Sequence, residues 1–268
     1  MTRCVPILVA LLAPLLLACQ GLPAHDDAAA PAIIKVLSYN IHYGLGTDSE
    51  TDLERIAQVI QRSGAGIVGL QEIGNKAMAL ELGHLTGMHA VFGRSKEDDK
   101  GYGDAILCKY PFTWVGGESI PSASSSRYQA MAIDIDLSEV FGPGATVRFI
   151  NTHFDWLDTI GSQEARLATV DVIQRAFRAD TQMPALLAGD MNATPDSGPL
   201  KKLQAYGWAH GSAASGLLTW EATNPDQQID YVLAAPRGAW RVHGVEVMDE
   251  PLASDHLPVV VEFELLRD

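Results

Sequence analysis

Residues 184–192 read PALLAGDMN, an apolar run that closes on an acid, Asp190, and an amide, Asn192. A short apolar run bounded by Pro and Gly reads as a buried strand, and polar residues at its end lie where a sheet hands its side chains to the loops. Outward from this stretch the same arrangement recurs along the chain. IIKVLSYN (33–40), AGIVGLQ (65–71), DAILCKY (104–110) and QAMAIDIDL (129–137) read as strands, as do TVRFINTHF (146–154), IDYVLAA (229–235) and LPVVVEFEL (257–265). Between them lie helical patterns over 52–63, with Leu53, Ile56, Ala57 and Ile60 in phase, over 76–86, and over 162–178, with Leu167, Val170, Ile173 and Phe177 in phase. Strands mixed with helices in this way predict a layered α/β domain.

Several strands carry a metal-binding or proton-transferring residue type at one end. Asn40 closes the first, Glu72 follows IVGLQ, His153 ends FINTH, Asp230 opens DYVL, and Asp255-His256 immediately precede LPVVV. Singly, each has a plain structural reading: a turn residue at Asn40, an Asx turn at Asp190-Met191-Asn192, a cap at Asp255, satisfied core histidines at His153 and His256. Together those readings strain. Carboxylates beside apolar runs are costly if buried unpaired, and a divalent cation, cationic partners or a bound histidine are the ways to hold them there.

The chain has 268 residues, 47% of them hydrophobic, and a mean hydropathy near zero, enough to bury a substantial core in a single domain. Its formal net charge of -14 repels a polyanion such as DNA unless a local basic strip or a bound metal reverses the field. Basic residues are sparse and mixed with acids, as in Lys96-Glu97-Asp98-Asp99-Lys100. Nucleic acid is therefore a disfavoured partner.

The N-terminus, MTRCVPILVALLAPLLLACQ, has one early cation and an apolar run from Val5 to Leu17 too short to span a bilayer, which predicts an export signal over residues 1–18. Leu16-Leu17-Ala18-Cys19 resembles a bacterial lipobox, with Cys19 the lipidated residue; cleavage by ordinary signal peptidase is the alternative. A lipidated Cys19 implies an exported, membrane-anchored lipoprotein facing the periplasm or cell exterior, with a water-soluble domain. Residues 19–32, Ala/Pro-rich and without apolar period, read as a linker, and the domain as 33–268. Cys108, within AILCKY, reads as a buried small hydrophobe, and no internal disulfide is expected.

The stretches SYNIHYG, LQE, the arginine in SSSRYQAMAIDI, NTHFDW, GDMNATPDS, QIDYVL and SDHLPV together resemble the endonuclease/exonuclease/phosphatase (DNase I-like) superfamily, in its usual order and from about residue 34 to the end. That resemblance implies a four-layer α/β sandwich, two mixed sheets face to face with helices outside, and an active site at one edge between the sheets. It implies Glu72 as principal metal ligand, with Asn40 as neutral ligand or orienting group and Asp255 completing the shell directly or through water. The metal would be Mg²⁺, with Mn²⁺ or Ca²⁺ as alternatives. Asp230 and His256 are similar to the family's carboxylate–histidine dyad, and one of His256 and Asp190 would activate the attacking water. Asn192 and His153 would serve the water, the leaving oxygen or the phosphate, and Arg127 would neutralise a phosphate oxygen. Two departures stand out: Asp104 in Gly103-Asp104-Ala105-Ile106 replaces the amide usual there, weakening local anion binding, and Tyr128 replaces a glycine beside Arg127.

The function so implied is metal-dependent hydrolysis of a phosphate mono- or diester by in-line attack of water, on a small-molecule or phospholipid-type substrate, by a monomer. A DNase I-like endonuclease is the alternative, and a non-catalytic surface binding module of the same fold the third reading. Residues 154–161 and 211–228 are the loops expected to carry specificity, through Trp156, Leu157 and Trp220.

Overall fold

The computed structural model describes residues 1, 31–94, 102–124, 128–211 and 217–267. Cys19 and nearly all of the segment before residue 31, Arg127, and residues 212–216 of the second specificity loop lie outside the described residues. Residues 31–268 form one compact unit.

Among the described residues twelve strands form: β1 (Ile34–Asn40), β2 (Ile67–Ile73), β3 (His89–Arg94), β4 (Gly103–Cys108), β5 (Phe112–Ile120), β6 (Tyr128–Asp136), β7 (Thr146–His153), β8 (Ala185–Asp190), β9 (Ala209–His210), β10 (Asp230–Ala235), β11 (Trp240–Val247) and β12 (Val259–Leu265). Five α-helices accompany them: α1 (Leu53–Ser63), α2 (Lys76–Thr86), α3 (Ser138–Phe141), α4 (Ile160–Phe177) and α5 (Gly198–Ala205). The strands make two six-stranded sheets, ordered β11-β12-β1-β2-β4-β3 and β5-β6-β7-β8-β10-β9. Both are mixed: β1–β2 and β7–β8 run parallel, and the other pairs antiparallel.

Period-two alternation builds the layers. On β1, Val36 joins the core between the sheets while Leu37 and Tyr39 face outward onto α1 and α2, where Ile56, Ile60 and Leu82 meet them. On the second sheet Phe149, Leu186 and Val232 point inward, while Ile150, Leu187 and Leu233 pack under Val170, Ile173 and Leu203 of α4 and α5. The result is the expected four-layer sandwich. Gly69 of β2 shows how closely the sheets approach, since a Cβ there would stand 2.6 Å from Asn151 Oδ1.

The helices begin and end where local chemistry dictates. Asp52 accepts a hydrogen bond from Arg55 N at 2.9 Å to open α1, which Gly64 closes in the left-handed conformation, φ 68°. Thr159 likewise caps α4 through Ser162 N at 3.1 Å. No helix among the described residues is long and apolar enough to cross a membrane.

Candidate functional site

The inward-facing stripes of several strands turn polar at one common edge. On β7 the stripe runs Phe149, Asn151, His153; on β8, Leu186, Ala188, Asp190; on β1, Val36, Ser38, Asn40; and β10, entering from the opposite direction, begins it with Asp230. Register then aligns the row. His153 lies opposite Asp190 across the parallel β7–β8 pair, and Asp230 opposite Asp190 across β8–β10. The polar stripe faces β1 of the other sheet, where Asn40 Nδ2 donates to Asp190 Oδ2 at 3.1 Å and to Glu72 Oε1 at 3.3 Å.

Glu72 reaches this seam through a bulge. Leu70 pairs with Ala105 and Ile73 with Gly103, so Gln71 and Glu72 together oppose the single residue Asp104. Glu72 takes φ 57° there. His42, Tyr43 and Asn192 also adopt left-handed backbone, at φ 43°, 57° and 44°. The turn holding His42 and Tyr43 leads from β1, and its His42 Nδ1 stands 3.6 Å from Asp255 Oδ1. Non-glycine residues in this region are strained, and four of the five among the described residues, all but Ser49, gather at this edge, the pattern of a surface over-determined by its surroundings for a task.

His256 follows the segment entering β12 and is buried. Its Nδ1–H donates to Asp230 Oδ2 at 2.9 Å, the same oxygen that accepts from Thr219 Oγ1 at 2.7 Å. This fixes the ring and turns Nε2 toward Asn40 Nδ2, at 3.5 Å, and Asp190 Oδ2, at 3.7 Å. His153 Nε2 stands 3.4 Å from Asp190 Oδ2 and 3.2 Å from Asn192 Nδ2, whose amide also donates to Phe154 O at 3.1 Å. Asn192 N–H donates to Asp190 Oδ1 at 2.9 Å, closing the Asx turn that its sequence suggested. The Tyr128 ring, in the place of the missing glycine, packs edge-on against His153 with centroids 5.0 Å apart.

Among the described residues no lysine or arginine lies within ion-pair distance of the acids of this edge, whose partners are histidines. Burial pushes the Asp230 carboxyl up, with His256 opposing and Asp190 reinforcing. Burial lifts Asp104 to about 7, His153 opposing and Glu72 and Asp190 adding to the rise. For His256, burial disfavours the charged ring, but Asp230 and Asp190 outweigh it and raise the imidazole to about 10. The Tyr43 hydroxyl is likewise raised by burial and by Glu72, to which it hydrogen-bonds. Excess negative charge of this kind is what a divalent cation compensates.

Asp190, Asp230 and His256 offer ligand atoms within 4.8 Å of one another. Asp230 Oδ2 and His256 Nδ1 are already committed to each other, and the carboxylates lining the cleft are those of Glu72, Asp158, Asp190 and Asp255, of which Glu72 and Asp190 share the Asn40 amide. An all-oxygen, carboxylate-rich set fits a hard cation such as Mg²⁺, Mn²⁺ or Ca²⁺. Asn40 spends its amide nitrogen on Glu72 and Asp190, while its oxygen accepts from His42 N–H at 3.1 Å.

Of the residues singled out in the sequence, Glu72, His153, Asp190, Asn192, Asp255 and His256 all line one cleft of about 850 Å³. Asn40 and Asp230 stand behind them, and both specificity loops contribute, through Trp156, Leu157 and Trp220. Arg127 lies outside the described residues. Sequence reasoning passed over Tyr43, Asp155 and Arg166, and saw Asp104 only as a departure. Arg166 carried a usable signal: with Ser162, Thr169 and Ile173 it falls on the buried face of α4, an odd place for a guanidinium.

A four-layer sandwich with an acidic, histidine-bearing cleft along one edge of its sheets defines a DNase I-like protein. The chain belongs to the Endonuclease/Exonuclease/phosphatase family, whose description matches residues 37–256, and whose members are hydrolases of phosphoesters. No curated protein matches the sequence. Among solved structures it is similar to an endonuclease/exonuclease/phosphatase family protein from Bacteroides thetaiotaomicron, at 19% identity and TM-score 0.72, over 88% of this chain and 99% of that one. It is similar also to the mannosyl-6-phosphatase of Bacteroides thetaiotaomicron VPI-5482, at 19% identity and TM-score 0.70, over 86% and 99%. The human Nocturnin catalytic domain with bound sulfate follows at 20% identity and TM-score 0.67, over 88% and 96%.

Proposed function

We propose that the chain is a divalent-metal-dependent phosphoesterase that hydrolyses a small phosphate ester by in-line attack of water on phosphorus. The observation carrying this reading is the row His153–Asp190–Asp230, in register on three adjacent strands, with His256 held on Asp230 and Glu72 facing it across the seam.

Glu72, Asp190 and Asp255 would hold the cation, which supplies Lewis-acid stabilisation of phosphoryl oxygens and an ordered site for water. Asn40 keeps Glu72 and Asp190 apart and correctly turned. Asp230 accepts a hydrogen bond from Nδ1–H of His256 and so presents Nε2 toward the cleft, where it would exchange a proton with the water or the phosphoryl group. Asp190, within reach of both histidines, is the alternative proton acceptor. His153 and Asn192, hydrogen-bonded together, serve the leaving oxygen or the phosphate, and Arg127 the phosphate charge. The -14 charge and the scarcity of cations favour a small ester over a nucleic acid.

Turnover of p-nitrophenyl phosphate and bis-p-nitrophenyl phosphate tests this directly. Mg²⁺- or Mn²⁺-dependent hydrolysis is expected, lost with EDTA and reduced about 10²–10⁴-fold by His256→Ala, the usual worth of a general acid–base. Absence of turnover across several divalent metals and both ester types would overturn the assignment.

The proposed setting is the exterior face of a membrane, through a lipid on Cys19. Mass spectrometry of the mature N-terminus checks it: a diacylated Cys19 is expected, and an unmodified residue at or near this position counts against it.

A further inference from the structure

The cleft extends well past the phosphate end. About 850 Å³ lies within the range of small-molecule sites, and a phosphoryl group occupies a minor part of it. The remaining space is bounded by Trp156, by Gln163 and Arg166 of α4, and by Trp220 with Gln227 from the loop before β10. Trp156 is 60% exposed, although an indole is among the side chains that gain most from burial.

Arg166 is the telling residue. Its side chain is more than nine-tenths buried, yet among the described residues no carboxylate lies within ion-pair distance of it. Nη1 donates to Asp155 O at 2.7 Å and Leu157 O at 3.1 Å. These are the only hydrogen bonds it makes among the described residues, so the donors on Nε and Nη2 stay available where the residue borders the cleft. Nε and Nη2 are not sealed from water, so they face the cleft as donors that a ligand's oxygens can take over from solvent.

Resting on the phosphoesterase reading, we infer that this half of the cleft is a subsite for the alcohol part of the substrate, and that this part is a monomeric polyhydroxylated ring. Indoles at Trp156 and Trp220 cover the ring's C–H faces, while Arg166, Gln163 and Gln227 meet its hydroxyl rim. An acyl chain satisfies the indoles and strands the guanidinium. A plain aryl ester does the same. A nucleic-acid strand needs a run of cations, and the described lining offers Arg166 alone besides its histidines. A free sugar phosphate and a mononucleotide share the ring chemistry, so the test includes both.

Binding is measured by calorimetry with His256→Ala and Mg²⁺, using hexose 6-phosphate, a nucleoside monophosphate, phosphocholine and methyl phosphate as probes; kcat/KM is measured for the same esters with the wild type. Trp156→Ala and Gln163→Ala are the informative variants, because both side chains are solvent-exposed and the fold does not lean on them. Arg166→Lys serves as a third, with Tm as a control for the loop it holds. The expectation is that a ring-bearing probe binds about tenfold or more tighter than methyl phosphate. Each variant should lower kcat/KM for the ring ester at least tenfold more than for methyl phosphate. Equal affinity for all four probes, preference for phosphocholine, or variants that lower every ester alike would overturn the inference. Ring-selective binding without turnover of any ester by the wild type would support the subsite while removing the phosphoesterase reading beneath it.

Discussion

The residues of the candidate site are legible as chemical types but not as a geometry. Glu72 illustrates this: as an acid after an apolar run it is conspicuous, yet its left-handed backbone, its bulge opposite Asp104 and its contact with Asn40 depend on strands distant in sequence. If it holds the cation, Mg²⁺ at about 100 times its Kd raises folding stability by about 2.7 kcal/mol in the wild type. Thermal melts with and without Mg²⁺ read this as an upward Tm shift, which Glu72→Gln should abolish; an equal shift in the variant would move the ion elsewhere. Asp155 makes a different prediction. Burial opposes its ionisation, but hydrogen bonds from Ala123 N, Leu157 N, Ser122 Oγ and Ser124 N outweigh that and hold the carboxyl below the usual carboxylate range. A depressed pKa contributes stability above the unfolded value of about 3.9 that disappears as pH falls through the lower folded value. Asp155→Asn should therefore lower Tm at pH 7, by the equivalent of about 1.5–3 kcal/mol, with the gap closing below about pH 4. A gap that persists in acid would show that charge is not what matters there. Because this one carboxylate joins the segment 122–124 to the loop carrying Trp156, its loss should also weaken substrate binding.

Among the elements, the eight strands read from sequence, β1, β2, β4, β6, β7, β8, β10 and β12, are the eight interior strands of the two sheets. The four that were not read, β3, β5, β9 and β11, are the four edges. The reason is physical: an interior strand is apolar on both faces in a four-layer sandwich, whereas an edge strand such as FTWVGGESI or WRVHGVEV is largely solvated and breaks the apolar run. α1, α2 and α4 fall within two residues of their apolar periods, while α5, at eight residues, is too short to declare one. The β7–β8 pair sets His153 beside Asp190, and Gly189 is what allows its close approach: a Cβ there would stand 2.2 Å from Thr152 O, its register partner. Backbone cannot yield as a flexible side chain can. Gly189→Ala should cost about 1–3 kcal/mol, seen as a Tm several degrees lower, and should reduce turnover with no reacting group removed. Wild-type stability and activity in that variant would show that the register tolerates slack.

At the scale of the molecule, charge separates the small-ester reading from the nuclease one. With -14 overall, duplex DNA should neither be retained nor nicked at physiological salt, and hydrolysis of a small ester should change little between about 50 and 200 mM salt. Steep salt-sensitive nicking would mean that local positive charge, such as a cation bound in the cleft, overcomes the global field. The sequence alone determined the α/β class, the strands that form the interior, the helices α1, α2 and α4 among those that cover them, and the set of acids and histidines that end those strands. Periodicity and residue chemistry are local properties, and a period of two or 3.6 is visible wherever burial enforces it. Tertiary structure decided what local patterns cannot encode: that β7, β8 and β10 bring His153, Asp190 and Asp230 into one row, that Asn40 donates its amide nitrogen to both Glu72 and Asp190, and that Arg166 borders the cleft. Those facts depend on which strands become neighbours and in what register, quantities set by the packing of the whole sandwich and not by any single run of residues.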